Sequence, residues 1–432
     1  MDDWPQGSSP FRFSRNILFL ALLFLLGLFF FFLVRNNTFW HSGDYLYLSH
    51  ALKIDKSWRE IFAAAPYQTF QPLVNTIFYL EFKLFGLNAW YFYLFNIVIH
   101  SINAFLVYKI VFTLLRSNLI AILSSLLFVF AVGNYGKAVM VASGIGDLLI
   151  TLFTLLSLLL YFKNEREMGG RLNSFWFIGS VACFLLSLLT KATSFSLLGC
   201  MLAFNVFFRE ETGKRVFHRN FLVIALLAVV VLIIKVSVLH YLPGRSDINL
   251  SLPMIVRNFG SYLVRMVFPI HSSSSVESAG STVQFIYKMV SEIRLFTFLC
   301  ILSYSVFGFI FGNRAIRFFI SWTYITVLPF CFFKFPMDWL NIRYLYLVSI
   351  GFSMLLASGT VLASQLLHQR SWRRLLPYGV LLMFILMSHM VMYNLDKHYE
   401  NLAKSPTITT LQTSFQAEYS QWQSRSTEGE SP

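Results

Sequence analysis

Two carboxylates and a few cations lie where apolar runs give way to polar ones, and their types suit transfer of a group to a hydroxyl. Asp44, in Trp40-His41-Ser42-Gly43-Asp44-Tyr45, lies just beyond the first apolar run; Asp147 follows Ser143-Gly144-Ile145-Gly146 and opens another. Desolvation at the edge of an apolar phase raises a carboxylate's pKa, so that it can take a proton from an acceptor hydroxyl. Solvated loop aspartates are common, and Asp147 equally suits the first turn of a helix, where a negative charge is favoured.

The cations are Lys191, in the short turn Leu189-Thr190-Lys191-Ala192, and Arg343, which opens Arg343-Tyr344-Leu345-Tyr346; Lys137, in Asn134-Tyr135-Gly136-Lys137, is of the same kind. Cations at helix ends, flanked by aromatics such as Tyr344 and Tyr346, can hold a lipid phosphate whose tail lies between helices; snorkelling within an aromatic belt is the plainer reading. Asn96 and His100, four residues apart, share one helix face inside an apolar run. There they serve either as ligands or as bonds to neighbouring helices. No Walker loop, dinucleotide fingerprint, His-Glu-x-x-His or Gly-x-Ser-x-Gly occurs, and Cys183, Cys200, Cys300 and Cys331 lack metal-ligand spacing. The reading therefore includes no metal and no cofactor.

These residues must be positioned by membrane helices. Of 432 residues, 56% are hydrophobic and 12% charged, and 48 are Phe, whereas a soluble domain carries about 25% charged residues. Eleven apolar segments read as transmembrane helices of an all-α integral membrane fold: near 16–34, 90–112, 118–133, 147–162, 174–190, 192–208, 220–240, 295–311, 318–333, 344–366 and 375–393. Residues 16–34 read as a retained span rather than a signal peptide. The stretch from Pro72 to Gly86 is short and carries Glu81 and Lys83, so it is predicted to lie in the headgroup plane. The net charge of +14 falls in short loops beside apolar runs, which points to membrane lipid and not to nucleic acid.

With the N-terminus inside, the basic loops at Arg116, Lys163–Arg171, Arg209–Arg219, Arg314–Arg317 and Arg370–Arg374 face the cytoplasm. Loops 35–89, 134–146, 241–293 (Pro- and Ser-rich) and 334–343 then face the other side, where the chemistry is expected. Residues 1–393 form the membrane domain in this reading. Residues 394–432 form a polar tail on the outer face, its last dozen residues expected to be disordered.

Collinear motifs resemble a family. The outer Asp44 loop, Leu84-Phe85-Gly86-Leu87-Asn88, Tyr93-Leu94-Phe95-Asn96-Ile97-Val98-Ile99-His100, Ala138-Val139 with Ser143-Gly144 and Asp147, Lys191, and Arg343-Tyr344-Leu345-Tyr346 follow one another in an order similar to that of the protein O-mannosyltransferase-like branch of the GT-C glycosyltransferases. The pattern covers about residues 40–351. It most resembles the membrane part of those members that carry lumenal tetratricopeptide repeats, though no such repeats occur here.

The resemblance implies a GT-C fold, a polyprenyl- or dolichyl-phosphate-linked sugar as donor, and transfer with inversion to a hydroxyl of a protein or glycan acceptor. It implies Asp44 as the base, Asp147 as the second-loop acid, and Lys191 and Arg343 as the phosphate-binding cations. The chain departs from the family pattern at Gly43-Asp44 (two acids), Gln71 (Arg), Lys137 (Glu) and Ala192 (Glu). These changes suit an inactive relative that binds lipid phosphate or a partner protein; the number of spans alone would suit a transporter or flippase. Short loops favour a prokaryotic plasma membrane over endoplasmic reticulum, with the active site on the non-cytoplasmic face.

Overall fold

The structure is a computed structural model describing residues 10–31, 38–66, 69–131, 138–213, 215–239, 251–267, 284, 288–289, 292–333, 342–367 and 369–427. The elements among the described residues are helices, because an apolar chain in lipid must satisfy its backbone amides within itself. Every one of the eleven apolar segments coincides with a helix: α1 (Pro10–Phe30), α4 (Ala89–Leu115), α5 (Asn118–Phe130), α6 (Ile145–Glu167), α7 (Phe175–Thr190), α8 (Ser196–Phe207), α9 (Arg219–Leu239), α11 (Arg294–Phe311), α12 (Arg314–Cys331), α13 (Leu345–Leu366) and α14 (Arg370–Ala403). Outside them lie α2 (Ser42–Lys56), α3 (Pro72–Phe85), α10 (Leu252–Val267) and α15 (Pro406–Thr427). Among the described residues five helices are long and apolar enough to cross a membrane: Ala89–Leu115, Ala142–Glu167, Arg219–Leu239, Arg294–Phe311 and Leu345–Leu366.

The core joins α4, α5, α6, α12 and α13. Trp322 is fully buried on α12 and donates from Nε1 to the Leu347 carbonyl of α13 at 3.0 Å. Gly351 makes that approach possible, since a Cβ there would fall on Thr323 Oγ1 and 2.8 Å from the Phe319 carbonyl. By contrast α9 and α11 expose long apolar faces, including Leu226, Ile233, Phe296 and Phe307, as suits surfaces solvated by lipid.

Charged side chains gather at one end of the bundle. Arg166 pairs with Glu211 at 2.7 Å, Arg314 meets Glu210 and Glu211, and Glu165 meets His218 at 3.1 Å. This is the end at which α6 finishes. Asp147, in the first turn of α6, therefore lies at the other end, with α2, α3 and α15.

Three expectations for the polar segments need correction. In α3, Lys83 reaches Asp55 at 2.8 Å near the surface, but Glu81 is only 3% exposed and lies inside the protein, not among headgroups. Burial pushes its pKa well above the usual carboxylate value. The segment 241–293 contains the amphipathic helix α10, whose Tyr262, Leu263 and Met266 pack beneath α12 and α13.

The tail is helical from Pro406 to Thr427, so the helix runs into the last dozen residues, for which disorder was expected. Ile408, Leu411, Phe415, Tyr419 and Trp422 form one apolar stripe of helical spacing in an otherwise polar sequence, and this stripe packs onto the core. Phe415 meets Tyr45, Tyr419 and Trp422 meet Phe82, and Trp422 Nε1 donates to Asp55 at 2.8 Å. Trp422→Ala should loosen α15 by about 1–3 kcal/mol, since it removes a partly buried ring together with its hydrogen bond. Hydrogen exchange should then accelerate in α15 and leave α4 and α6 unchanged; uniform acceleration would show that the docking is not local.

Candidate functional site

Asp44 lies in the first turn of α2, whose N-terminus is closed by His41. Gly43 N donates to His41 Nδ1 at 3.0 Å and His41 N donates to Asp44 Oδ2 at 3.2 Å, a reciprocal cap. The second carboxylate oxygen, Oδ1, accepts from Ser143 N at 2.8 Å across 99 residues of sequence. Trp40 Nε1 donates to the Met140 carbonyl at 3.0 Å, so the first outer segment and the one before α6 are joined twice. Asp44 is fully buried, and burial raises its pKa to about 6 against the lowering pull of hydrogen bonds from Ser143, His41 and Trp40.

The segment 138–144 folds back on itself so tightly that a Cβ on Gly144 would fall on the Ala138 carbonyl. Since that contact is with backbone, no side-chain adjustment relieves it. Gly144→Ala should displace Ser143 from Asp44 and cost about 2 kcal/mol or more. A thermal midpoint within a degree or two of wild type would show that the loop can relax and would discount the contact.

Four residues beyond Ser143, Asp147 Oδ1 accepts from Lys191 Nζ at 2.5 Å, and Arg343 Nε lies 3.9 Å from Asp147 Oδ2. Lys191 occupies the extended residue between α7 and the 3-10 turn Ala192–Phe195; Arg343 lies in the 3-10 turn that opens α13. Burial lowers the Lys191 pKa and the charge of Arg343 adds to the lowering, while Asp147 opposes both. The cations keep more side-chain exposure, 20% and 25%, than the acid between them at 10%. The open side of this cluster is therefore cationic.

The residues below the cluster hold it in place. His100 Nδ1 and Tyr346 OH are 2.7 Å apart, and Asn103 Nδ2 donates both to Tyr346 OH at 3.2 Å and to the Leu148 carbonyl at 3.0 Å. Asn96 Nδ2 donates to the carbonyls of Val139 and Val141 at 3.3 and 2.9 Å. Asn96 and His100 were read either as ligands or as bonds to neighbouring helices, and Tyr346 as a flank of the phosphate site; all three are buried and hydrogen-bonded to protein, and they fix the segment before α6 and the start of α13. Tyr344 stacks on Phe330 with centroids 4.6 Å apart and stands 5.4 Å from the Arg343 guanidinium. Lys137 lies outside the described residues.

Sequence reasoning missed Gln71, Tyr47 and Asn103. Tyr47 OH donates to Gln71 Oε1 at 3.3 Å, and that oxygen is 3.8 Å from where a Cβ on Gly146 would lie, beside the Lys191 stem at 3.3 Å. Gly146 thus leaves room for Lys191 and Gln71 to meet at the start of α6. The departure of Gln71 from the family pattern was the one available signal.

No family model matches the sequence. Over 154 residues the chain is 29% identical to Protein O-mannosyl-transferase TMTC2 of Mus musculus and of Homo sapiens. The match covers 35% of this chain and 17% of each relative, so it spans only about a sixth of those proteins. Over that stretch the chain is similar to an O-mannosyltransferase in sequence. Among solved structures it is similar to ArnT from Cupriavidus metallidurans bound to undecaprenyl phosphate, with 14% identity, a TM-score of 0.47, and coverage of 92% of this chain and 77% of that one. For the apo form of ArnT the identity is 15%, the TM-score 0.44 and the coverage 93% and 77%.

Proposed function

We propose that this chain is an integral membrane glycosyltransferase that moves one sugar from a polyprenyl-phosphate donor to an acceptor hydroxyl, with inversion, on the non-cytoplasmic face. The observation that carries the reading is convergence. Asp44, Asp147, Lys191 and Arg343 come from four distant segments and meet at one end of the bundle, joined by the Ser143–Asp44 bond and the Lys191–Asp147–Arg343 cluster. That end lies opposite the basic loops, which the positive-inside rule assigns to the cytoplasm.

The reaction needs one base and fixed positive charge. The acceptor oxygen attacks the anomeric carbon, the bond from that carbon to the phosphate oxygen breaks, and its electron pair leaves with the lipid phosphate. Lys191 and Arg343 face the growing phosphate charge. Asp147, held between them, keeps the two cations together and opposes the lowering of the Lys191 pKa by burial and by Arg343. Asp44, with a pKa of about 6, is the carboxylate assigned to take the acceptor proton.

One observation favours a second reading. Both Asp44 oxygens accept backbone N–H bonds, as a purely structural acid would. On that reading the chain binds lipid phosphate without turnover. Purified protein in nanodiscs, supplied with polyprenyl-phosphate sugars and peptide or glycan acceptors, separates the two: product supports transfer, whereas phosphate binding without product from any donor supports the silent relative.

A further inference from the structure

Lys235 lies four residues before the end of α9, inside a segment apolar enough to cross a membrane, yet it is only 2% exposed. A charged side chain within a membrane helix costs about 2.5–3.5 kcal/mol near its centre, so such residues face protein interiors and mark functional sites by default. Lysine offers three N–H donors. Among the described residues the one hydrogen bond of Lys235 Nζ goes to the Phe70 carbonyl at 3.3 Å, with the Phe70 ring 5.9 Å away, and no carboxylate pairs with it. A neutral carbonyl and a ring face are weak compensation for a buried ammonium.

The position of Lys235 suggests what completes it. Phe70 precedes Gln71, which accepts from Tyr47 and lies beside Gly146 and the Lys191 stem. Lys235 therefore borders the Asp147–Lys191–Arg343 cluster, one residue along the chain from its polar edge. Among the described residues Asp147 holds both Lys191 and Arg343, and both cations are more exposed than the acid between them.

We infer that Lys235 is a third phosphate-binding cation, whose remaining N–H donors point the site toward the phosphate of a lipid headgroup. The inference rests on the proposed donor class but not on turnover. A phosphate leaving an anomeric carbon gains negative charge, and a buried ammonium stabilises it more than a solvated one would, because the surroundings are of low dielectric.

The test is binding of polyprenyl phosphate to the full chain in nanodiscs, with polyprenol and inorganic phosphate as parallel probes. Lys235→Gln keeps an N–H donor for the Phe70 carbonyl and removes only the charge. It is expected to weaken polyprenyl phosphate at least tenfold and to leave polyprenol unchanged, while Lys235→Arg stays near wild type. Equal affinity in the Gln variant and wild type would overturn the inference and leave Lys235 as a bond to the first outer segment. Tight binding of inorganic phosphate that is lost in Lys235→Gln, without preference for the lipid, would overturn the lipid-headgroup assignment. Should the Gln variant fail to fold, Lys235→Met against Lys235→Arg makes the same comparison of charge. Charge-dependent binding with no sugar transferred to any acceptor would sustain the site and defeat the transferase reading, so the two failures are distinguishable.

Discussion

Asp44→Asn is expected to lower kcat/KM for sugar transfer by a factor of about 10²–10⁴, the range associated with loss of a general base. The wild-type rate should rise about tenfold per pH unit up to about 6 and then level, because the base works only when ionised. Stability should move the other way. The folded pKa is raised from 3.8 to about 6 by burial, so folding favours protonated Asp44. That contribution, about 3 kcal/mol, is fully present below the unfolded value and is lost as pH rises through about 6.

Between pH 4 and 6 the wild type should therefore gain activity while its thermal midpoint falls, and Asp44→Asn should lose both trends. Undiminished transfer by the variant would remove Asp44 as the base. Loss of the stability trend with no transfer in the wild type would leave Asp44 as the knot between the first outer segment and residues 138–144. A check on folding is needed, because Asn at 44 places an amide where His41 N and Ser143 N now donate, and one of those bonds must be given up.

The parts of this architecture that were legible in the sequence are those fixed by a single solvent. An apolar run of about twenty residues has one way to satisfy its amides in hydrocarbon; among the described residues each of the eleven runs overlaps a helix, and five helices are long and apolar enough to cross a membrane. Asp147, Lys191 and Arg343, which motif order singled out, lie within ion-pair distance of one another, and Asp44 is tied to the same segment through Ser143. Segments between phases were harder to read. Glu81 looked like a headgroup residue because a sequence does not show that α2, α4 and α7 surround α3. The stripe from Ile408 to Trp422 was hidden by threonines, serines and glutamines, so that the segment read only as a polar tail although every third or fourth residue is apolar.

The same limit explains the buried polar residues. Asn96 and His100 were recognisable as polar groups on one helix face, but their partners, Val139, Val141 and Tyr346, lie 43, 45 and 246 residues away. A spacing argument sees i to i+4 and is blind to such distances. Lys235 was passed over for a different reason: a single lysine does not spoil an otherwise apolar run of twenty, so the count that finds the span also hides the charge within it.

Asp147→Asn should separate the two tasks of the cationic cluster. With its carboxylate neutral, Lys191 and Arg343 no longer share a counter-ion, and their mutual repulsion together with the lost bond should cost about 1–3 kcal/mol in this partly open setting. The effect on the phosphate has a sign that depends on pH. Burial and Arg343 already lower the Lys191 pKa, and Asp147 is the group that opposes them, so its removal lowers that pKa further. At pH low enough to keep Lys191 charged, polyprenyl phosphate should bind the variant more tightly than wild type, because an internal competitor for both cations is gone. As pH rises Lys191 should lose its proton earlier in the variant, and affinity should fall while wild type still holds its ligand. Dissociation constants for polyprenyl phosphate measured across pH should therefore cross. Curves that run parallel would mean that Lys191 does not carry the charge the phosphate reads, and the cationic face would then rest on Arg343 alone.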